Sequence, residues 1–272
     1  MRLIQQNLII GRSFDRPFLL LAFLFDLMYN KPMNKYELLG FDIDSVSMKE
    51  AIEISKNLID SNKVTHIVTI NPEMYELAED DYEFAQIIRW ADLVVPDGVG
   101  VTLGLKLMGH TAQRIAGIDL AYNLLLETAK NEIPVALIGA KTHVLENAVA
   151  NLKKQISGLN IVYARDGYFD DIDVVYEELR QTSPKLVLVA MGAPMQEKFI
   201  NNAKKLINPA LMIGVGGSFD VWGGEVLRAP SVYRKLGLEW LYRTIKQPER
   251  FSRIFPTIPY FLYKIINEKL GV

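Results

Sequence analysis

The sequence predicts an α/β fold, in which a Rossmann-like and largely parallel sheet is flanked by helices and followed by a C-terminal helical appendage. Three observations carry this. Between about residues 38 and 208, short β-rich apolar runs alternate with helical stretches, the pattern of repeated βα units. Each run is too uniformly apolar to leave one face in water, which predicts strands covered on both sides. The residues directly after the runs turn polar and glycine-rich, at the carboxyl edge where open α/β sheets bind ligands. Six strands follow from the pattern, over residues 66–70, 93–95, 135–138, 160–163, 186–190 and 211–215.

The chain of 272 residues is half apolar and 23% charged, enough to bury one large core with appendages. We divide it into an N-terminal extension over residues 1–37, an α/β core over 38–227 and the appendage over 228–272. A formal charge of -2, spread along the chain, gives no basic footprint and argues against nucleic acid as a partner. Cysteine is absent, which excludes disulfides, thiolate nucleophiles and thiolate metal ligands. His66, His110 and His143 stand far apart without metal-ligand spacing, which excludes a structural zinc, and no cofactor is expected.

In the extension, residues 17–29 read PFLLLAFLFDLMY, shorter than the ~20 apolar residues of a spanning helix and interrupted by Asp26. No small-residue cleavage site follows, which argues against a signal peptide. An interfacial helix and an ordinary helix packed on the core both remain open. In the appendage, Pro248, Pro256 and Pro259 are expected to divide the chain into short helices. Its interleaved tryptophan, tyrosine and arginine suit a membrane interface, and a helical cap packed on the sheet is the alternative.

The strand ends hold the candidate chemistry. Asn71 lies at a strand-to-helix corner before Pro72, where it serves as N-cap or as a polar finger at the carboxyl edge. Asp97, in Val95-Pro96-Asp97-Gly98, lies on a tight turn before a helix beginning near Val99. It can cap that helix, or it can act as a general base that takes the proton of an attacking hydroxyl. Arg114 in the run Arg114-Ile115-Ala116-Gly117-Ile118-Asp119 offers a fixed cation to a diphosphate or a structural carboxylate. Gly139, Gly192, Gly216 and Gly217 follow later strands, where glycine lets a ligand approach the backbone. Neither GxGxxG nor GxxxxGK[ST] occurs, so dinucleotide and P-loop chemistry lose ground. Asp42-x-Asp44 and Asp171-x-Asp173 have the DxD spelling but read as solvated or capping acids.

Taken in order, TINPEM, ADLVVPDGVGV, RIAGIDL, GAPMQEKF, GVGGSFDVWGGEVLRAP and LGLEWLYR resemble the WecG/TagA/CpsF family of glycosyltransferases, over about residues 38–253. The resemblance implies metal-independent, inverting transfer of N-acetylmannosamine or a related hexose from a UDP-sugar to a polyprenyl-diphosphate-linked sugar. It also implies a place in teichoic acid or exopolysaccharide assembly, and peripheral attachment through the appendage to the inner face of the cytoplasmic membrane. The family's catalytic aspartate falls on Asp97 and its polar strand-end residues on Thr69 and Asn71. Its substrate-binding arginine falls on Arg114, its glutamine on Gln196 and its uridine-contacting acid on Asp220, with Tyr168 a candidate to lie against the base. The arginines that close the site onto the diphosphate fall on Arg243, Arg250 and Arg253.

The front of the chain departs from the family, whose core usually begins near its own amino terminus. Residues 1–37 are open to being a second interfacial anchor, a contact between copies in a homo-oligomer, or a gene-start artefact. Two other function classes stay open: a nucleotide-sugar-binding membrane scaffold without catalysis, and a nicotinamide-dependent sugar oxidoreductase.

Overall fold

The computed structural model describes residues 34–235, 237–246 and 251–271, without the side chains of residues 235, 243 and 251–255. The extension up to residue 33, with its apolar run, and Arg250 lie outside the described residues. Of Arg243 and Arg253 only the helical backbone is described.

A hairpin absent from the sequence prediction comes first: β1 (Lys35–Leu38) pairs antiparallel with β2 (Phe41–Asp44). Its two-residue turn, Leu39-Gly40, has positive φ at both positions, the conformation that suits a tight hairpin. Asp44 is fully buried, neither solvated nor capping a helix as expected, because its Oδ2 accepts the Val94 N–H at 2.8 Å and so ties the hairpin to the main sheet. Asp42, in contrast, is exposed. The following helix α1 (Met48–Ile59) starts at a reciprocal capping box between Ser47 and Glu50.

The six expected strands all form: β3 (Thr65–Ile70), β4 (Leu93–Pro96), β5 (Val135–Gly139), β6 (Ile161–Arg165), β7 (Leu186–Ala190) and β8 (Leu211–Gly214). They make one parallel sheet in the order β4-β3-β8-β7-β5-β6. Between them run α2 (Pro72–Asp80), α3 (Tyr82–Arg89), α4 (Val99–Leu107), α5 (Gly117–Lys130), α6 (Thr142–Gln155), α7 (Ile172–Thr182) and α8 (Met195–Ala203). Asp171 caps α7, as its polar helix-start position predicts.

Strand alternation sends Ile67, Leu137, Leu188 and Ile213 into a core with α1, α5 and α6, and Ile138, Val187, Val189 and Met212 into a second core with α7 and α8. One expectation fails at the edge. Among the described residues β6 pairs with β5 alone, at the edge of the sheet, and it is largely exposed.

After β8 come α9 (Ser218–Trp222), α10 (Ser231–Lys235), α11 (Glu239–Lys246) and α12 (Phe251–Leu270). The last helix runs on through Pro256 and Pro259, contrary to the division expected at those two prolines, while Pro248 lies outside the described residues. Tertiary packing offsets the lost backbone bonds. Phe261 and Ile265 are buried beside Tyr75 and Leu38, and Thr257 Oγ1 bonds Glu76 Oε2 at 2.7 Å. Gly104 makes room for this contact, since a Cβ there would lie 2.5 Å from Ile265 Cδ1. The other face of α12 leaves Tyr260, Tyr263, Ile266 and Leu270 exposed. No helix among the described residues is long and apolar enough to cross a membrane.

Candidate active site

Two adjacent parallel strands bring Asn71 and Asp97 together. Ile70 pairs with Pro96 across β3 and β4, so the next two residues leave the sheet side by side, and the Asp97 N–H donates to the Ile70 carbonyl at 2.8 Å. Asn71 caps α2, its Oδ1 accepting the Met74 N–H at 3.2 Å with Pro72 in the first turn. The two loops also interlock. A Cβ at Gly100 would stand 2.6 Å from Pro72 Cγ, so the approach requires glycine.

Asp97 does not cap the helix that follows it, because α4 takes Gly98 as its N-cap without a side-chain bond. Its Oδ2 instead accepts the N–H of Gly117, the first residue of α5, at 3.1 Å. A carboxylate suits this position, where the first amides of a helix lack partners within it. The Ile115 N–H donates to the Pro96 carbonyl at 2.8 Å, which holds Arg114 beside the same strand end. Gly117 also abuts Thr69, since a Cβ there would lie 2.8 Å from Thr69 Oγ1. The fold thus gathers Thr69, Asn71, Asp97 and Arg114 at one end of the sheet.

Two contacts absent from the sequence reading tie the later chain to this end. Arg228 Nη2 donates to Asp119 Oδ1 at 2.5 Å, reaching the first turn of α5 from beyond α9. Gly237, with φ of +72°, lies against the first turn of α4, where a Cβ would come 2.9 Å from Val99 Cβ. Between these anchors the chain passes from the start of α5 to the start of α4, the two helices that flank Asp97. Arg228 Nε and Arg234 Nε in this stretch, and Trp240 Nε1 in the helix that follows it, are buried without an acceptor among the described residues. In the sequence, Arg228 and Gly237 lie inside the runs GVGGSFDVWGGEVLRAP and LGLEWLYR, and the crossing of the chain shows what each of them touches.

The glycine loops divide into two kinds. Gly139 (φ +121°) is packed against protein, since a Cβ there would meet Ala190 O at 2.3 Å, and the Cβ position of Gly167 lies 3.2 Å from Gly139 Cα. Its glycine therefore serves the close packing of β5, β7 and the loop after β6, which differs from the expected approach of a ligand. Gly192 (φ +77°) and Gly216 (φ +47°) have no heavy atom of the described residues within 4 Å of the Cβ position, at the turns beyond β7 and β8. Gly217 neighbours Asp220, whose Oδ2 lies 3.3 Å from its Cβ position.

Gln196 is buried beneath these two turns, where its Oε1 accepts the N–H groups of Gly192 at 3.2 Å and Gly216 at 3.0 Å. Its Nε2 donates to Glu197 Oε1 at 2.8 Å. Burial pushes the Glu197 carboxyl up to about 7, opposed by the bond from Gln196. Tyr168 stands exposed after β6, its N–H held by Asp166 Oδ1 at 2.9 Å. Five interstrand spacings of ~4.8 Å separate β4 from β6, so Asp97 and Tyr168 lie at opposite ends of an edge about 24 Å wide. The two groups cannot act on one bond.

Residues 36–272 match the model of the Glycosyl transferase WecG/TagA/CpsF family. Among curated proteins, the chain is 34% identical over 243 residues to an N-acetylglucosaminyldiphosphoundecaprenol N-acetyl-beta-D-mannosaminyltransferase of Bacillus spizizenii, a match covering 89% of this chain and 93% of that one. It is 36% identical over 217 residues to the protein of the same description from Bacillus subtilis, covering 79% of this chain and 84% of that one. The family match spans nearly all the described residues, the parallel sheet and its flanking helices among them: the chain is a glycosyltransferase and belongs to the WecG/TagA/CpsF family.

Proposed function

We propose that the protein transfers N-acetylmannosamine or a related hexose from a UDP-sugar to a polyprenyl-diphosphate-linked sugar, with inversion and without a metal, in the assembly of a cell-surface polymer. The observation that carries this reading is the Asp97 carboxylate, oriented by the Gly117 amide beside Thr69 and Asn71. A general base must reach the attacking hydroxyl in a fixed orientation, and a bond to the start of a helix supplies that. The names of the two Bacillus relatives support the sugar and the lipid-diphosphate acceptor.

In this reading the donor lies along the carboxyl edge, its diphosphate over Gly192 and Gly216 and its base toward Gly217, Asp220 and Tyr168. The acceptor hydroxyl attacks the anomeric carbon, Asp97 takes its proton, and UDP leaves as the glycosidic bond forms. Arg114, with Arg243, Arg250 and Arg253 of the appendage, offsets the charge that develops on the diphosphate. The protein lies on the inner face of the cytoplasmic membrane, and the exposed row Tyr260, Tyr263, Ile266 and Leu270 on α12 supports docking there.

The test is UDP release from a panel of UDP-sugars with a polyprenyl-diphosphate-N-acetylglucosamine acceptor, in the presence of EDTA, with the anomeric configuration of the product read by NMR. Acceptor-dependent release and an inverted product are expected. UDP binding without transfer to any acceptor would favour a scaffold, and loss of turnover in EDTA would overturn the metal-free step.

A further inference from the structure

We propose that Glu197 is a positioning residue for the donor site: it fixes which way round the Gln196 amide stands, so that Gln196 holds the Gly192 and Gly216 turns at one spacing. This rests on the reading that the two turns bear the donor diphosphate.

A glutamine amide has two ends of nearly equal size and opposite hydrogen-bonding character. The turns above Gln196 offer two N–H donors, at 3.2 and 3.0 Å, so the clamp works only with the oxygen uppermost. Reversed, the amide would set its own N–H groups against those donors and lose both bonds. Beneath it stands Glu197 Oε1, 2.8 Å from Gln196 Nε2. An ionised carboxylate only accepts hydrogen bonds, so it admits the NH₂ end and rejects the oxygen. Glu197 therefore selects the one orientation in which Gln196 can bridge the ends of β7 and β8.

Stability does not explain a carboxylate here. Glu197 is 2% exposed, and its Oε2 has no hydrogen-bond partner among the described residues. Lys198, the next residue, turns away to Asp81 and Glu83, and no charged group contributes to the upward shift that burial imposes on Glu197. A buried, singly bonded carboxylate costs free energy that an apolar side chain of similar volume would not. The space around it is also kept open. A Cβ at Gly214 would lie 2.4 Å from Gln196 Nε2 and 2.8 Å from Glu197 Oε1, so the glycine that ends β8 accommodates this pair.

The experiment compares the full-length wild type with Glu197→Met, which removes the acceptor, and Glu197→Gln, which keeps an acceptor but adds a donor. Three quantities are read at pH 8: the ¹⁵N–¹H resonances of Gly192 and Gly216, the affinity for UDP by calorimetry, and resistance to urea. E197M is expected to move both glycine resonances upfield and to weaken UDP binding about tenfold, the worth of roughly one hydrogen bond. E197Q should fall between it and the wild type, and both variants should resist urea at least as well as the wild type. Unmoved glycine resonances, unchanged UDP affinity, or loss of affinity in step with loss of folding would each overturn the proposal. Failure of the wild type to bind UDP would remove the donor reading, and the glycine resonances would still decide whether Glu197 sets the clamp.

Discussion

Asp97 Oδ2 accepts the Gly117 N–H at 3.1 Å, joining the end of β4 to the start of α5 across 20 residues of sequence. The bond gives the proposed base its aim. It also separates two effects of mutation, because an asparagine oxygen can still accept the Gly117 N–H while the side chain no longer takes a proton. Asp97→Asn should therefore keep its melting temperature and its UDP affinity, and lose turnover by about 10²-fold or more, the scale of a lost general base. Single-turnover kinetics beside UDP calorimetry make the comparison. Near-wild-type turnover would remove Asp97 from the chemistry.

Gly117→Ala tests the same junction from the helix side. The new methyl would fall 2.8 Å from Thr69 Oγ1 and 3.3 Å from Thr69 Cγ2, forcing the start of α5 off the sheet. Overpacking of this kind costs about 1–3 kcal/mol, and the shift would carry the Gly117 amide away from Asp97. Urea denaturation should show the destabilisation, with turnover falling further than UDP binding. Tolerance of the methyl in both assays would mean that the contact is slack.

The Asp119–Arg228 pair is partly exposed, with side-chain exposures of 35% and 28%, so its worth to stability should be small, about 0.5–1 kcal/mol in a double-mutant cycle. Its larger effect should fall on activity, since it anchors the chain that crosses beside Asp97. Arg228→Met is expected to lower kcat with little change in the urea midpoint. An unchanged kcat would make the pair merely a surface contact.

The titration of Glu197 predicts how stability depends on pH. Its folded-state value of about 7 lies above the ordinary 4.5, so its contribution is fully present below about pH 4.5 and is lost as pH rises through 7. Replacing it with glutamine should therefore leave stability near the wild type at pH 4.5. By pH 9 the variant should gain on the order of 3 kcal/mol, from about 1.4 kcal/mol for each pK unit. Urea midpoints across that range measure it, and a constant difference would contradict the titration.

Docking to lipid is expected to depend on the exposed row of α12. Tyr263 and Ile266 are exposed at 59% and 47%, so replacing both with aspartate should spare the fold while lowering sedimentation with anionic phospholipid vesicles by tenfold or more. Wild-type binding by the double variant would move the contact elsewhere on the chain.

Much of this molecule was legible in the chain. Uniform apolar runs announced all six strands of the parallel sheet, and Asn71 before Pro72 announced its own cap, because both follow from local burial and backbone preference. Less legible was whatever depends on what lies opposite. The β1–β2 hairpin escaped because its strands, KYEL and FDID, carry charged residues among the apolar ones, and the exposure of β6 because an edge strand can be as apolar as a central one. The continuity of α12 through two prolines was decided by the packing of Phe261 and Ile265, which no local rule foresees.

The same division runs through the site. By itself the sequence determined the fold class, the family and the set of polar strand-end residues, since these rest on order and local chemistry. Only the tertiary structure decided the partners. Asp97 answers to Gly117 rather than to the helix beside it, Gly139 serves packing while Gly192 and Gly216 meet no heavy atom of the described residues at the Cβ position, and Gln196 bridges two loops above Glu197. Parallel strands and crossover helices bring residues far apart in sequence to one edge, and hydrogen-bond partners are chosen there by distance in space.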